Sequence, residues 1–220
     1  FLGSGRVRYF PSCEYYGDGE FVSLLSDEKY SVSFKKEVDS TYMNVMVPSK
    51  RPPPFSLEGC AKCAPLNDLP VLSQKYDDFV IVGAGKTAID AVLFLLKNDL
   101  NPAKISWIMP RDSWILDRAQ IQPTLASIGT TLTTQIIPGS QSDNIDDFFD
   151  KISKAGGLLR IDENVKPTMY RCSTVTKAEL EQLKRVKNII RKGRVKSIGD
   201  TEIILEHLSL IHISYPTRPY

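Results

Sequence analysis

Three small residues, Gly83, Gly85 and Ala88, stand at the spacing G-x-G-x-x-A, an accepted form of the dinucleotide-binding fingerprint. The first glycine permits a tight turn from a strand into a helix. The second has no Cβ, so a pyrophosphate can approach the backbone, and the alanine lets the helix pack against the strand. Free N–H groups and the helix dipole then hold the phosphate charge. The candidate cofactor-binding residues of this turn are Gly83, Ala84, Gly85, Lys86, Thr87 and Ala88.

The segment Gly85-Lys86-Thr87 also resembles the end of a P-loop, which wraps the phosphates of ATP or GTP. A P-loop needs another glycine five residues before its final one, and that position holds Val80. The turn is therefore too short to enclose a triphosphate, and we expect a dinucleotide. A P-loop hydrolase stays an alternative that titration with ATP would test.

The residues after the second strand indicate which dinucleotide binds. An Asp or Glu there binds the ribose 2′-hydroxyl of NAD, while an Arg accommodates the 2′-phosphate of NADP. The chain carries Pro110-Arg111-Asp112. Arg111 is the first charged residue after the predicted strand, which favours NADP. Because Asp112 follows it directly, NAD stays an alternative. Trp114 could cover the adenine ring or belong to the core. Arg118 could bind the 2′-phosphate or be a solvated charge on a helix.

This chemistry requires a strand, a helix and a second strand around the turn. Residues 78–82 form an apolar run typical of a strand buried in a parallel sheet. Apolar residues recur at helical spacing over residues 87–98, and Asn101-Pro102 ends the helix. Residues 104–109 are predicted as the second strand. The result is a right-handed βαβ unit, so we predict an α/β fold, Rossmann-like with a parallel sheet, over residues 76–190.

The rest of the chain divides around this unit. Residues 1–47 are predicted to be rich in β structure, with strands at 6–10, 21–25, 30–34 and 42–47 and a turn at Gly17-Asp18-Gly19. Residues 48–75 contain six prolines and are predicted as a connector. Beyond residue 140 we predict a helix over 143–155 capped by Ser142, a helix from the Thr176 capping box to about Lys187, and a hairpin over 191–206.

Composition limits the function classes. Among 220 residues, 28 Lys and Arg face 26 Asp and Glu, a net charge of +2, so no broadly basic nucleic-acid surface is expected. No apolar run reaches about 18 residues, so no membrane partner is expected. Four scattered cysteines without a signal peptide favour the cytoplasm. The pair Cys60 and Cys63 is interpreted as free loop thiols rather than a redox pair or zinc site, and we predict no metal site.

Residues 207–220 differ in character from the rest. They hold both histidines, His207 and His212, and residues 208–220 resemble a translated sequencing-adapter tail. We expect this segment to be non-native and place no site in it. A genuine short strand with a proline-containing tail is the alternative.

Short segments spread over residues 1–206 are similar to one known family. They are residues 6–14, 41–42, 51–55, 65–70, 82–90, 159–162 and 167–172. Together they resemble the flavin-containing monooxygenase-like, FAD- and NAD(P)-binding oxidoreductases. The resemblance implies a NADPH-binding domain inserted into a FAD-binding domain, with Gly83, Gly85 and Ala88 matching the glycine motif of the inserted domain.

The resemblance also implies a truncation and a reaction. Residues 1–47 and the hairpin over 191–206 would belong to an incomplete FAD domain. Hydride would pass from NADPH to FAD, and in monooxygenase members the reduced flavin would react with dioxygen to oxygenate a small-molecule substrate. We expect this chain to bind NADP(H) but not to hold FAD or turn over alone. A non-catalytic dinucleotide-sensing or Rossmann-like interaction module stays the alternative, and no catalytic residue is predicted.

Overall fold

The computed structural model describes residues 2–40, 46–207 and 210–212. The chain divides into two compact units, Phe1–Met46 and Val47–Tyr220. No described helix is both long and apolar enough to cross a membrane. The strand predicted over residues 42–47 falls mostly outside the described residues.

The first unit contains a three-stranded antiparallel sheet. Its strands, in order across the sheet, are β1 (Cys13–Gly17), β2 (Glu20–Ser23) and β3 (Lys29–Ser31). The predicted turn Gly17-Asp18-Gly19 joins the first two strands, and all three residues have positive φ. The hairpin predicted around residues 26–29 is confirmed. The strand predicted over residues 6–10 is wrong, because these residues pair with no strand of the sheet. The ring of Phe10 lies 4.8 Å from that of Phe21 and 5.2 Å from that of Tyr30.

The second unit contains most of the regular structure. Its strands are β4 (Ser56–Leu57), β5 (Phe79–Val82), β6 (Ile105–Ile108), β7 (Ser113–Asp117), β8 (Leu158–Leu159), β9 (Met169–Val175), β10 (Ile189–Ile190), β11 (Val195–Ile198), β12 (Glu202–Leu205) and β13 (Leu210–His212). Its helices are α1 (Leu69–Leu72), α2 (Lys86–Lys97), α3 (Leu125–Thr131), α4 (Ile137–Ser140), α5 (Ile145–Lys154) and α6 (Lys177–Leu183). The fold is therefore mixed α/β.

A parallel sheet of order β10-β6-β5 lies at the centre of this unit. Helix α2 connects β5 to β6, so the predicted strand–helix–strand succession is confirmed. One face of α2 is buried, and it carries Ala88, Ile89, Ala91, Val92, Leu95 and Leu96. These side chains pack with β6 and with Leu180 and Leu183 of α6. Burying each large aliphatic side chain contributes about 1.5–3 kcal/mol.

A second sheet covers the other face of the parallel sheet. Its order is β13-β12-β11-β4, and β4 runs parallel to β11. Successive strand residues point to opposite faces, so Val80 and Ile108 face this layer and pack in one cluster with Ile198 and Ile203. The central sheet is thus enclosed between helices and a second sheet, which fixes the position of its strand ends.

Two segments of this unit, residues 48–75 and 207–220, contain regular structure that was not expected there. The proline-rich segment 48–75 is more than a connector, since it supplies β4 and the buried Leu69 of α1. Strand β13 lies within residues 207–220 and pairs antiparallel with β12, which agrees with the alternative of a short strand there. Residues 208–209 and 213–220 lie outside the described part of the chain.

A third sheet, of order β8-β7-β9, carries α5 on one face. Asn144 caps α5 instead of the predicted Ser142, because its Oδ1 accepts the N–H groups of Asp146 and Asp147 at 3.0 Å. The predicted capping box of Thr176 and Glu179 opens α6. That helix ends at Leu183 rather than at Lys187.

Candidate functional site

The glycine turn lies at the carboxyl edge of the parallel sheet. Gly83 directly follows β5, and its N–H donates to the carbonyl of Ile108 in β6 at 2.9 Å. The φ of Gly83 is +127°, a conformation that glycine adopts without the steric cost of a Cβ. The chain can therefore leave the strand and enter α2 within three residues.

Gly85 has a different environment. Its φ is −87° and its ψ is 177°, so its backbone does not require glycine. A Cβ placed on Gly85 would meet no atom within 4 Å. The position faces open space, which a ligand phosphate can enter.

The start of α2 offers hydrogen-bond donors beside that space. Gly85 is the N-cap residue, and no side chain caps the helix. Within the described part of the chain, the N–H groups of Gly85, Lys86 and Thr87 have no protein acceptor. Uncapped N–H groups and the positive end of the helix dipole together attract anions.

The other residues of the turn have separate roles. Ala88 is buried, and its Cβ lies 3.7 Å from the position that a Cβ on Gly83 would occupy. Ala84 is half-buried against the core. Lys86 forms an ion pair with Asp90, one helical turn further along α2. Thr87 is exposed at the start of α2.

The two adjacent residues after β6 that are predicted to distinguish NADP from NAD differ in their exposure to solvent. Arg111 is exposed, whereas Asp112 is only 6% exposed. The guanidinium of Arg191 holds the Asp112 carboxylate with two hydrogen bonds, 2.6 Å from Nε to Oδ2 and 3.0 Å from Nη2 to Oδ1. Both carboxylate oxygens are thus occupied by a protein partner.

The chain has relatives of unassigned function. It is 45% identical over 219 residues to the uncharacterized proteins Mb2023 of Mycobacterium bovis and MT2056 and Rv2000 of Mycobacterium tuberculosis. The match covers 93% of this chain but 38% of each relative, so the chain spans well under half the length of the curated relatives it matches. No protein-family model and no solved structure matches the chain.

Two further candidates have structural partners. Trp114 is 2% exposed and stacks on Phe149 at 5.8 Å between ring centroids, so it belongs to the core and cannot cover an adenine. Arg118 lies 3.3 Å from Glu179 and donates to the carbonyl of Thr174 at 3.2 Å. Arg118 begins the short 3-10 helix Arg118–Gln120 after β7, and its half-exposed guanidinium links that helix to β9 and α6.

Trp107 was missed by the sequence interpretation. It is fully buried in β6, and its indole N–H donates to the carbonyl of Gly83 at 2.7 Å. This hydrogen bond holds the main chain of the glycine turn against β6. A tryptophan inside an apolar strand is the available signal, because a buried indole N–H needs an acceptor.

In the described part of the chain, the cysteines and acidic residues form no metal-binding cluster. All four cysteines, including the loop residues Cys60 and Cys63, are free thiols. Across residues 2–40, 46–207 and 210–212, no three His, Cys, Asp or Glu residues come together in a way that could hold a metal ion. Asp146 and Asp147 occupy the first turn of α5, where they suit the positive helix end.

Proposed function

We propose that this chain is the NADP(H)-binding part of a flavin-dependent oxidoreductase. The observation that carries the proposal is the turn after β5, where open space at Gly85 adjoins unpaired N–H groups at the start of α2. The strand order β10-β6-β5 supports a Rossmann-like interpretation, because the first half of that fold has the order 3-2-1. The dinucleotide pyrophosphate would bind at this turn.

The preference for NADP rests on the segment after β6. Arg111 is exposed, follows β6 closely and is available for a 2′-phosphate. Asp112, the residue that would favour NAD, is held by Arg191. A bound nicotinamide supplies or accepts hydride, while residues of this chain bind and orient the dinucleotide.

The wider function is proposed on the family resemblance. FAD as hydride acceptor, a small-molecule substrate and its oxygenation all depend on protein beyond the residues described above. A cytoplasmic location agrees with four free thiols, which are typical of a reducing compartment.

Calorimetric titration of the full 220-residue chain with NADPH, NADH and ATP tests the proposal. We expect NADPH to bind more tightly than NADH, and ATP to bind most weakly. Binding of ATP without binding of NADPH would favour the P-loop alternative and overturn the proposal.

The variant Arg111→Ala tests the assigned 2′-phosphate contact. We expect NADPH affinity to fall about tenfold to a hundredfold, the equivalent of a lost charge-assisted hydrogen bond, while NADH affinity changes by less than about twofold. Arg185→Ala is the matched control, because this exposed arginine lies before β10, at the opposite edge of the sheet. An equal loss for both cofactors would show that Arg111 does not bind the 2′-phosphate.

A further inference from the structure

The ion pair between Arg191 and Asp112 connects two neighbouring strands at the edge where the cofactor is proposed to bind. Arg191 directly follows β10, and Asp112 follows β6 four residues after its end. The two hydrogen bonds are parallel and bidentate, the geometry in which arginine binds carboxylates most specifically. Arg191 also reaches Asp162 at 3.5 Å.

The pair determines which of two adjacent side chains faces solvent. The Asp112 side chain is 5% exposed, and its carbonyl accepts the N–H of Thr168 at 3.2 Å. Both its main chain and its carboxylate are therefore fixed inside the protein. Its neighbour Arg111 is exposed, so a ligand at this edge meets a cation and not the adjacent acid.

We propose that Arg191 is a positioning residue that sets the preference for NADP over NAD by sequestering Asp112. The inference rests on the proposed function. A free carboxylate after the second strand would accept a hydrogen bond from the 2′-hydroxyl of NAD and repel the 2′-phosphate of NADP. Arg191 neutralises that carboxylate without touching the ligand itself.

The experiment measures the ratio of NADPH affinity to NADH affinity by calorimetry on the full chain. Arg191→Gln frees the carboxylate, so we expect this ratio to fall at least about tenfold. The double variant Arg191→Gln/Asp112→Asn lacks the charge freed at Asp112, while Asp162 loses its cation in both variants, so a return of the ratio to within about threefold of the original assigns the effect to Asp112. A purely structural role would weaken both cofactors together and leave the ratio unchanged.

Two further variants complete the series. Arg191→Lys keeps the positive charge but cannot form the bidentate pair, so the ratio should fall by less than it does in Arg191→Gln. Arg185→Gln, the same substitution at the opposite edge, should leave it unchanged. Thermal unfolding of each variant shows whether it is folded.

The outcomes separate the inference from the proposed function. If the unaltered chain binds neither cofactor, the proposed function fails and the inference fails with it. If it prefers NADPH and Arg191→Gln keeps that preference, only the inference is overturned. If Arg191→Gln does not fold, Asp112→Asn decides: a ratio within about threefold supports sequestration, and a tenfold rise in the ratio overturns it, because Asp112 would then already oppose NADPH binding.

Discussion

Gly83 and Gly85 are two residues apart, and the structure gives each a different physical reason to be glycine. Gly83 has a positive φ, so its requirement is conformational. Gly85 has an ordinary backbone conformation beside open space, so nothing inside the protein requires a glycine there. A glycine would be required only if a ligand approaches this position closely. The two requirements can be separated by mutation.

We expect Gly85→Ala to fold normally and to bind NADPH poorly. The added Cβ meets no protein atom, and the loss of a glycine N-cap roughly offsets the entropic gain, so stability should change by less than about 1 kcal/mol. The methyl group would occupy the space through which the pyrophosphate approaches. Urea unfolding and calorimetry measure the two effects separately.

Gly129→Ala is the control for that substitution, because Gly129 lies in α3 with open space around it and away from the turn. It should gain about 0.5–1 kcal/mol of stability and bind NADPH normally. Unchanged NADPH affinity in Gly85→Ala would exclude this turn as the phosphate-binding site.

The elements around the turn are joined by partly buried polar contacts. Trp107 of β6 supports the carbonyl of Gly83, so the second strand holds the turn that follows the first. On the other side of α2, Glu179 of α6 accepts the N–H of Thr176 at 2.7 Å and pairs with Arg118. These contacts fix the start of α6 relative to the short 3-10 helix Arg118–Gln120 that follows β7.

Replacing Trp107 by Phe should weaken both stability and binding. The change removes the hydrogen bond to Gly83 and leaves a small cavity, at a combined cost of about 1–3 kcal/mol in the free energy of unfolding. Trp114→Phe removes an indole that is also buried but does not contact the turn. It should lose stability and keep NADPH affinity. If both variants lose affinity equally, the Trp107 contact has no specific role.

Glu179 should make the stability of the chain depend on pH. Burial opposes its ionisation, but the hydrogen bond from Thr176 and the charge of Arg118 outweigh this effect and lower the pKa of Glu179. The positive charge of Lys86 acts in the same direction. A lowered folded-state pKa stabilises the protein above the unfolded value of about 4.3, and this contribution is lost as the pH falls through the folded-state pKa.

Glu179→Gln isolates that contribution. At pH 6 the unaltered chain should be more stable by at most about 1 kcal/mol, since the pair is partly exposed. The difference should shrink as the pH falls from 5 to 3, as urea unfolding at each pH would show. A difference that stays constant or grows in acid contradicts the assigned ionisation.

At the scale of the whole molecule, every residue placed in the proposed site lies in the unit Val47–Tyr220. That unit has its own central sheet, enclosed between α2 and α6 on one face and a second sheet on the other. We therefore expect nucleotide binding to be a property of this unit.

A chain that begins at Val47 should bind NADPH within about threefold of the affinity of the full chain, because no residue of the site is removed. Calorimetry on the two chains makes the comparison, and Gly85→Ala introduced into the shorter chain confirms that the same turn is used. A tenfold loss would show that Phe1–Met46 contributes to the site.

Local patterns were sufficient for the features that depend on neighbours along the chain. Helical spacing predicted the buried face of α2, and the capping box predicted the start of α6, because each depends on residues within four positions. Prolines misled the interpretation of residues 48–75, since edge strand β4 needs only two residues to join β11. The strand expected at residues 6–10 does not form, because a strand needs a pairing partner and no strand of the sheet pairs with these residues.

The order of residues along the chain was enough to predict the glycine turn and the βαβ unit and to place Arg111 before Asp112, because backbone conformation and side-chain period are local properties. The partners of these residues are visible only in the folded chain. Arg191 reaches Asp112 across 79 positions, and Trp107 reaches Gly83 across 24. These contacts form because β10 and β5 both lie beside β6 in the sheet. Burial of the whole sheet decides that arrangement, and with it which of the adjacent residues Arg111 and Asp112 faces solvent.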